Sequence, residues 1–145
     1  MIKSISMWTF PPQLSVEQCF KLAKKLGYQG IEITCDLKGR FHVGAGEEDC
    51  QNTRRLAHQA GIQITSLASG VAWAICPTSD LASIREKAVE LYRRMIQISR
   101  WLVMDSILVV PGAVQMALDP KFKPIRYDTA YERAAEFIEK LLPFA

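Results

Sequence analysis

Extended and helical segments alternate four times along the chain, and this alternation limits the folds that the chain can adopt. The extended runs cover residues 2–9, 30–35, 62–68 and 106–112. Each connection between them is longer than a dozen residues, so the strands must pair in parallel through right-handed crossovers. The order βαβαβαβα predicts an α/β fold in which residues 1–145 form a single (βα)4 unit.

Local signals mark the ends of the helices. Ser15 followed by Gln18 predicts a capping box at the start of the first helix, and Gly27 is a left-handed stop at its end. Gly61 ends the second helix in the same way. The third helix is predicted over the apolar stripe that runs from residue 81 to residue 102, and Asp128 is expected to cap the last helix.

Two parallel architectures compete for this pattern: half of a barrel and an open doubly wound sheet. With 145 residues the chain is too short for a complete eight-stranded α/β barrel, which needs about 250. Ile31 and Ile33 alternate with Glu32 and Thr34, whereas the central strands of a doubly wound sheet are apolar on both faces. The alternation favours one half of a TIM barrel with strand order 1-2-3-4. A flavodoxin-like small-ligand-binding domain, with order 2-1-3-4, stays open as an alternative.

The alternation of apolar and polar residues also predicts which side chains face the barrel interior. The third strand alternates as the second does, with Gln63 and Thr65 on the polar side. On the first strand, parity places Lys3 inward beside Glu32, and an ion pair would offset the cost of burying either charge alone. The alternative is that Glu32 lies at an exposed strand end.

The charge and the cysteine content of the chain indicate which classes of binding partner and which cellular compartment to expect. Eighteen basic and fifteen acidic side chains give a net charge of +3, and the basic residues are scattered, so no nucleic-acid partner is expected. The four cysteines form no Cys-x-x-Cys pair and are interpreted as reduced thiols. No apolar run approaches ~18 residues, so neither a membrane partner nor a leader is expected. Together these features predict a cytoplasmic protein.

Three motifs carry a resemblance to a known superfamily. They are Leu-Gly-Tyr-Gln-Gly-Ile-Glu-Ile at 26–33, Ala-Gly-Ile-Gln-Ile-Thr-Ser-Leu at 60–67 and Ile-Leu-Val-Val-Pro-Gly at 107–112. In order and spacing the chain resembles the N-terminal half of the xylose-isomerase-like (β/α)8 barrels. Within them it is most similar to sugar-phosphate isomerases and epimerases of the ketose 3-epimerase type.

The resemblance implies a sugar or sugar-phosphate isomerase or epimerase that uses a divalent metal, Mn²⁺ or Mg²⁺. In such enzymes one carboxylate removes a proton beside the carbonyl, a second returns it, and the metal stabilises the enediolate oxygens. The family's metal ligands and catalytic carboxylates come from strands five to eight. They are therefore expected beyond the end of this chain, and no catalytic residue, metal ligand or bound metal is assigned to the chain alone.

Substrate contacts can be assigned, because barrel active sites lie at the carboxyl ends of the strands. The resemblance and this rule select Trp8, Glu32, His42 and Ser66 as substrate-binding candidates. Trp8 would stack on a sugar, with core or rim packing as the alternative. Glu32 would accept from hydroxyls or hold Lys3, and His42 would touch a hydroxyl or phosphate or simply be solvated. Other strand-end positions are Cys35, Ser69, Trp73 and Gly112.

A second hypothesis is a non-catalytic half-barrel that acts by association. Four parallel strands leave two edges with unpaired backbone groups, which proteins normally cover. A homo-oligomer that covers these edges, with two copies closing a ring of eight strands, would remove them.

Overall fold

The computed structural model describes residues 1–116 and 122–145. Its strands are β1 (Ser4–Ser6), β2 (Gly30–Thr34) and β3 (Gln63–Ala68). Its α-helices are α1 (Val16–Lys25), α2 (Glu47–Ala60), α3 (Val71–Ala74), α4 (Ala82–Leu102) and α5 (Tyr127–Leu141), and short 3-10 helices cover Met7–Thr9 and Leu142–Phe144. The chain divides into two compact units, residues 1–69 with 95–108 and residues 70–94 with 109–145. A single (βα)4 unit stays a prediction.

The first unit contains an open, parallel sheet in the order β1-β2-β3. Ile107 continues this order through an isolated parallel bridge to Leu67: the Leu67 amide donates to Ser106 O (3.3 Å) and the Leu108 amide donates to Leu67 O (2.7 Å). The α/β class and the half-barrel strand order are confirmed. The flavodoxin-like alternative is wrong, since β2 and not β1 lies inside the sheet. The fourth strand expected over 106–112 is reduced to this one bridge.

The helices of the first unit begin and end where the sequence signals predict. The Gln18 amide donates to Ser15 Oγ (3.2 Å) and the Ser15 amide donates to Gln18 Oε1 (2.8 Å), which completes the capping box. Gly27 and Gly61 both adopt positive φ, at 82° and 65°. Each helix therefore stops abruptly and the chain enters the next strand within a few residues.

The first strand is shorter than expected, because a 3-10 turn replaces its second half. Thr9 Oγ1 donates to Ser6 O at 2.8 Å, a local bond that competes with extended pairing. In the observed register Ser4 pairs with Gly30 and Ser6 pairs with Glu32. Lys3 therefore has the opposite parity to Glu32, and the expected Lys3–Glu32 pair is wrong. Instead Lys3 Nζ lies 4.8 Å from the centre of the Tyr28 ring.

The register of β3 shifts by one residue against β2. Ile64 pairs with Ile31, but the next pair is Ser66 with Glu32, so Thr65 is an extra residue, a β-bulge. Because of this residue, both Ile64 and Leu67 share the face of Ile31 and Ile33, which are completely buried. The apolar face predicted for β2 is confirmed. The bulge places the apolar side chains of β3 on the same face of the sheet.

The second unit is organised around α5. The rings of Phe137 and Tyr92 pack edge to face with their centres 5.2 Å apart. Arg133 donates to Thr78 O and to Asp80 Oδ1, both at 2.8 Å. Asp128 lies in the first turn of α5, which is preceded by Arg126 at the N-cap position; Asp128 is therefore not the cap that the sequence predicted.

The four cysteines are all buried. In the parts of the chain that the structure describes, none of the helices combines the length and the apolar character that crossing a membrane requires.

Candidate functional site

Five side chains of β1, β2 and β3 form a polar face on the side of the sheet away from Ile31 and Ile33. They are Ser4, Ser6, Glu32, Thr65 and Ser66. Ser66 Oγ donates to Glu32 Oε2 at 2.9 Å, and Ser4 Oγ and Thr65 Oγ1 are 2.8 Å apart. Within the described residues, the buried Ser6 hydroxyl has no hydrogen-bond partner. The polar face thus combines a carboxylate acceptor with hydroxyls that both donate and accept, the groups that bind sugar hydroxyls.

The bulge at Thr65 determines how the polar face is arranged. Thr65 faces Ser4 on one side, while Ser66 faces Glu32. Gly30 lies between these contacts, and a Cβ at that position would approach Thr65 Cγ2 to 2.4 Å. The close approach of β3 therefore requires glycine at 30, which explains one of the two glycines in the motif at 26–33.

A cavity of about 270 Å³ lies where β1 and β2 end. Trp8, which is 51% exposed, and Thr34 contribute to its lining, together with Asp36 and Lys38. Ser69 Oγ, at the end of β3, is 3.5 Å from Asp36 Oδ1. The volume is slightly below the usual range of small-ligand pockets, about 300–1,000 Å³. An indole, a carboxylate and an ammonium group at one strand end can together hold a polyhydroxylated ligand.

Arg40 holds the loop that forms the wall of this cavity. Its guanidinium donates to Phe10 O (3.3 Å), Pro11 O (2.9 Å) and Cys19 Sγ (2.7 Å). Burial raises the pKa of the Cys19 thiol, and the positive charge of Arg40 acts in the opposite direction. The loop after β1 and the loop after β2 are thereby tied to α1, which fixes the cavity between them.

The structure brings some of the predicted candidates together and separates others. Glu32 and Ser66 are hydrogen-bonded to each other, and Trp8 lines the cavity at the end of β1. His42 lines a different cavity of about 350 Å³, which is also lined by residues of α1 and α2. Its Nδ1 accepts from the Gly44 amide at 3.1 Å.

The other strand-end positions have mainly structural surroundings. Cys35 and Ser69 are buried. Trp73 and Gly112 belong to the second unit. Sequence reasoning missed Asp36, although it directly follows the second strand and that position is itself a signal.

The acidic, histidine and cysteine side chains of the described residues do not cluster. Over 1–116 and 122–145, no group of three or more His, Cys, Asp or Glu side chains is placed to hold a metal ion. Protein sites for divalent metals need about three such ligands. The residues described do not fit a metal centre, and none of them is assigned as a ligand.

Comparison with known families identifies the fold. The model of the family described as xylose isomerase-like TIM barrel matches residues 20–145. The chain belongs to this family. A comparison with curated protein sequences found no match.

Solved structures agree with this xylose isomerase-like assignment. A D-psicose 3-epimerase crystallised in the presence of D-fructose has a TM-score of 0.78 at 17% identity, covering 100% of this chain and 48% of its own. D-Psicose 3-epimerase with D-tagatose from Clostridium cellulolyticum H10 has a TM-score of 0.75 at 16% identity, and the match covers 99% of this chain and 48% of the epimerase. The 3-keto-D-glucoside 4-epimerase from E. coli has a TM-score of 0.72 at 18% identity, and the match covers 100% of this chain and 52% of that enzyme. The chain spans about half the length of these structures and shares the fold of half of a TIM barrel.

Proposed function

We propose that this chain forms the substrate-binding wall of a sugar isomerase or epimerase of the xylose isomerase-like family. The polar face and the cavity beside Trp8 would contact a ketose or its phosphate. The observation that carries the proposal is the Ser66–Glu32 hydrogen bond, which fixes a carboxylate on the face that lines the interior of a barrel.

The chemistry of the polar face supports a sugar more than an apolar ligand. When Glu32 is ionised, its carboxylate accepts hydrogen bonds only, and one oxygen already accepts from Ser66, so the other is available for a ligand hydroxyl. The Ser6 hydroxyl has a donor and lone pairs without partners in the described structure. Burying such a group without a partner is costly, so the Ser6 hydroxyl adds an unsatisfied polar group to this face.

Trp8 and Lys38 support the same class of ligand at the strand ends. A half-exposed indole offers an apolar surface for the carbon face of a sugar ring, and Lys38 offers a cation for a phosphate. His42 stays a predicted substrate contact, although it lines a separate cavity.

Proton transfer beside the carbonyl, and the Mn²⁺ or Mg²⁺ that would assist it, are proposed to come from residues other than those described. This part of the proposal rests on the xylose isomerase-like family, whose resemblance implies that these groups come from strands five to eight. A cytoplasmic location is also proposed, on the reduced state expected of the four buried cysteines.

Saturation-transfer NMR on the 145-residue chain tests the binding function. D-Psicose, D-tagatose, D-fructose and their 6-phosphates are the probes, and transfer to at least one sugar is expected. Trp8→Ala and Glu32→Gln should each weaken binding about fivefold or more, since each loses about 1 kcal/mol of contact. Glu86→Gln, an exposed carboxylate on α4, is the matched control and should bind as the wild type does.

Two results would refute the proposal. The proposed binding surface would be refuted if the folded chain bound none of the sugars. It would also be refuted if Trp8→Ala and Glu32→Gln left sugar binding unchanged. Measurable epimerisation by the chain with Mn²⁺ would show instead that the proton transfer is carried out by residues of this chain.

A further inference from the structure

A groove of about 530 Å³, the α2–β3 groove, lies beside α2 where β3 begins. One rim of the groove is formed by three side chains of α2, namely Gln51, Arg54 and His58. They follow one another at spacings of three and four residues, which places them on one face of the helix. All residues that line the groove belong to the first unit.

The groove lies on the side of α2 that faces away from α1. The buried face of α2 consists of Cys50, Thr53 and Ala57. Asp49 and Leu56 line the cavity that α2 shares with α1. At 3.6 residues per turn, Arg54 and His58 lie about 90° around the helix from the buried face, in the direction opposite to α1. The rim of the groove is therefore not part of the contact between the two helices.

The floor of the α2–β3 groove is apolar. Its buried side chains are Ala57 of α2, Ile62 beside the start of β3 and Leu102 at the end of α4. Ile64 is half-buried, and Val103, which is 67% exposed, also lines the groove. The floor can therefore take up the apolar part of a ligand and remove it from water.

The rim is cationic and faces no carboxylate. Arg54 and Arg55 both line the groove, and no Asp or Glu is among the described residues that do so, which gives two positive charges and no negative one. The Arg55 guanidinium donates to Asn52 Oδ1 (2.6 Å) and Gln59 Oε1 (3.3 Å). Within the described residues, the guanidinium of Arg54 and the imidazole of His58 have no hydrogen-bond or ion-pair partner.

The ordinary role of a cation in this part of a helix does not account for Arg54. Basic side chains stabilise a helix by interacting with the carbonyl groups of its last turn. Arg54 lies six residues before the end of α2 at Ala60, outside the last turn. At the end itself the Gly61 amide donates to His58 O (3.0 Å) and Lys24 Nζ donates to Gly61 O (2.7 Å). Other groups thus already satisfy this helix end.

We propose that the α2–β3 groove binds a small soluble molecule with a carboxylate or phosphate head and an apolar body. The Arg54 guanidinium pairs with the head, because its planar fork of N–H donors matches the oxygens of both anions, and His58 donates a further hydrogen bond. The apolar body lies on Ile62, Ile64 and Leu102. An apolar floor with a few polar groups, in a volume between about 300 and 1,000 Å³, is typical of small-molecule sites.

This anion site is independent of the proposed sugar site. Strands β2 and β3 are parallel, so the start of β3 and the cavity beside Trp8, where β1 and β2 end, lie at opposite ends of the sheet. Trp8→Ala and Glu32→Gln should therefore leave anion binding in the groove unchanged. A failure of sugar binding and a failure of anion binding are separate results.

Mapping of amide chemical shifts by NMR on the full chain tests the proposal. Octanoate and phenyl phosphate are the anionic probes, and octanoate should shift the amides of residues 51–58, 62–64 and 102–103. It should bind about tenfold or more tightly than acetate, which lacks the apolar chain, and than octanol, which lacks the charge. The proposal would be overturned if neither anionic probe bound, or if the shifts lay outside these three segments.

Variants separate the groove from general attraction between a basic protein and an anion. Arg54→Gln should weaken octanoate binding about fivefold or more. Lys25→Gln removes the same charge from an exposed position of α1 outside the groove and should bind as the wild type does. Circular dichroism verifies that each variant is folded. Equal octanoate affinities of the two variants would overturn the assignment of the groove.

Vesicles distinguish a soluble ligand from a lipid surface with the same head chemistry. The chain is mixed with vesicles of phosphatidylglycerol and phosphatidylcholine, and the bound fraction is measured by flotation. We expect no binding that depends on Arg54, since the groove is concave and takes up a single small molecule. Vesicle binding that is lost in Arg54→Gln, in a chain that binds neither octanoate nor phenyl phosphate, would overturn the small-molecule assignment.

Discussion

Ser66 donates a hydrogen bond to Glu32 across two parallel strands because β3 bulges at Thr65, between the pairs Ile31–Ile64 and Glu32–Ser66. If the same sequence paired in an unbroken register, Thr65 would lie beside Glu32 and Ser66 would share the face of Ile31 and Ile33. The bulge therefore supplies the donor that fixes the carboxylate of the candidate site.

Ser66→Ala tests the value of this bond. The variant leaves one oxygen of Glu32 without its donor in a partly buried position, so we expect a loss of about 1–2 kcal/mol in unfolding free energy. Urea denaturation measures it. Ser106→Ala, which removes a longer and more exposed hydroxyl contact (3.4 Å), is the control and should lose clearly less. Equal losses would show that the Ser66–Glu32 hydrogen bond contributes no more to the unfolding free energy than the Ser106 contact does.

Gly30→Ala tests the close approach of β2 and β3. Its Cβ would lie 2.4 Å from Thr65 Cγ2, so the strands must shift, at a cost of about 1–3 kcal/mol. Thr65→Ser removes that methyl and keeps the hydroxyl that contacts Ser4. The double variant should therefore recover much of the loss, which a double-mutant cycle measures. Additive losses would contradict the proposed clash.

Val103→Gly should stabilise the protein. Helix α4 ends in a Schellman arrangement, in which the Met104 amide donates to Ser99 O (3.0 Å), and Val103 has φ of 56°. A left-handed β-branched residue costs about 1–2 kcal/mol, part of which the unfolded-state entropy of glycine cancels, so a net gain of about 0.5–1 kcal/mol is expected. Thermal and urea unfolding measure it. Val103→Ala keeps a Cβ and should gain less; a destabilised glycine variant would refute the prediction.

Tyr92 should make stability fall at alkaline pH. Burial raises the pKa of this phenol, while the Val110 amide, which donates to its oxygen at 3.2 Å, lowers it to a smaller extent. Because the folded-state pKa is above the unfolded value of about 10, the stabilisation is present below that pH and is lost as pH rises through the folded pKa.

Urea denaturation between pH 8.5 and 11 measures this effect. The wild type should lose stability more steeply than Tyr92→Phe, which cannot ionise there. Tyr131→Phe, at an exposed ring, is the control and should follow the wild type. Parallel curves for all three proteins would contradict the role assigned to Tyr92.

The sequence was sufficient to predict the fold class, because glycine stops and alternating isoleucines are local signals. Ser15, Gln18, Gly27 and Gly61 act within a few residues of themselves, and the structure places each as predicted. The position of Lys3 could not be predicted in this way. The prediction assumed that side chains alternate between the two faces along one unbroken strand from residue 2 to residue 9. The turn at Met7–Thr9 shortens β1, so the alternation alone does not determine which face Lys3 occupies.

The candidate site was predictable in its residues more than in its geometry. Glu32 and Ser66 were selected for their places on the strands, but their contact depends on a bulge that no period-2 pattern contains. The fourth strand was predicted from its apolar run, yet within the described segment 106–112 only Ile107 forms a bridge. Helix α3 has four residues, fewer than the window in which helical periodicity can be recognised.

The extra residue at Thr65 also affects how this strand can change in length during evolution. Removing one residue elsewhere in a strand turns every later side chain to the opposite face, but removing Thr65 would leave Ser66 beside Glu32 and Leu67 beside Ile33. Relatives that lack this residue can keep the same interior lining, with only the contact to Ser4 lost. An alignment gap at this point would therefore be compatible with an unchanged site.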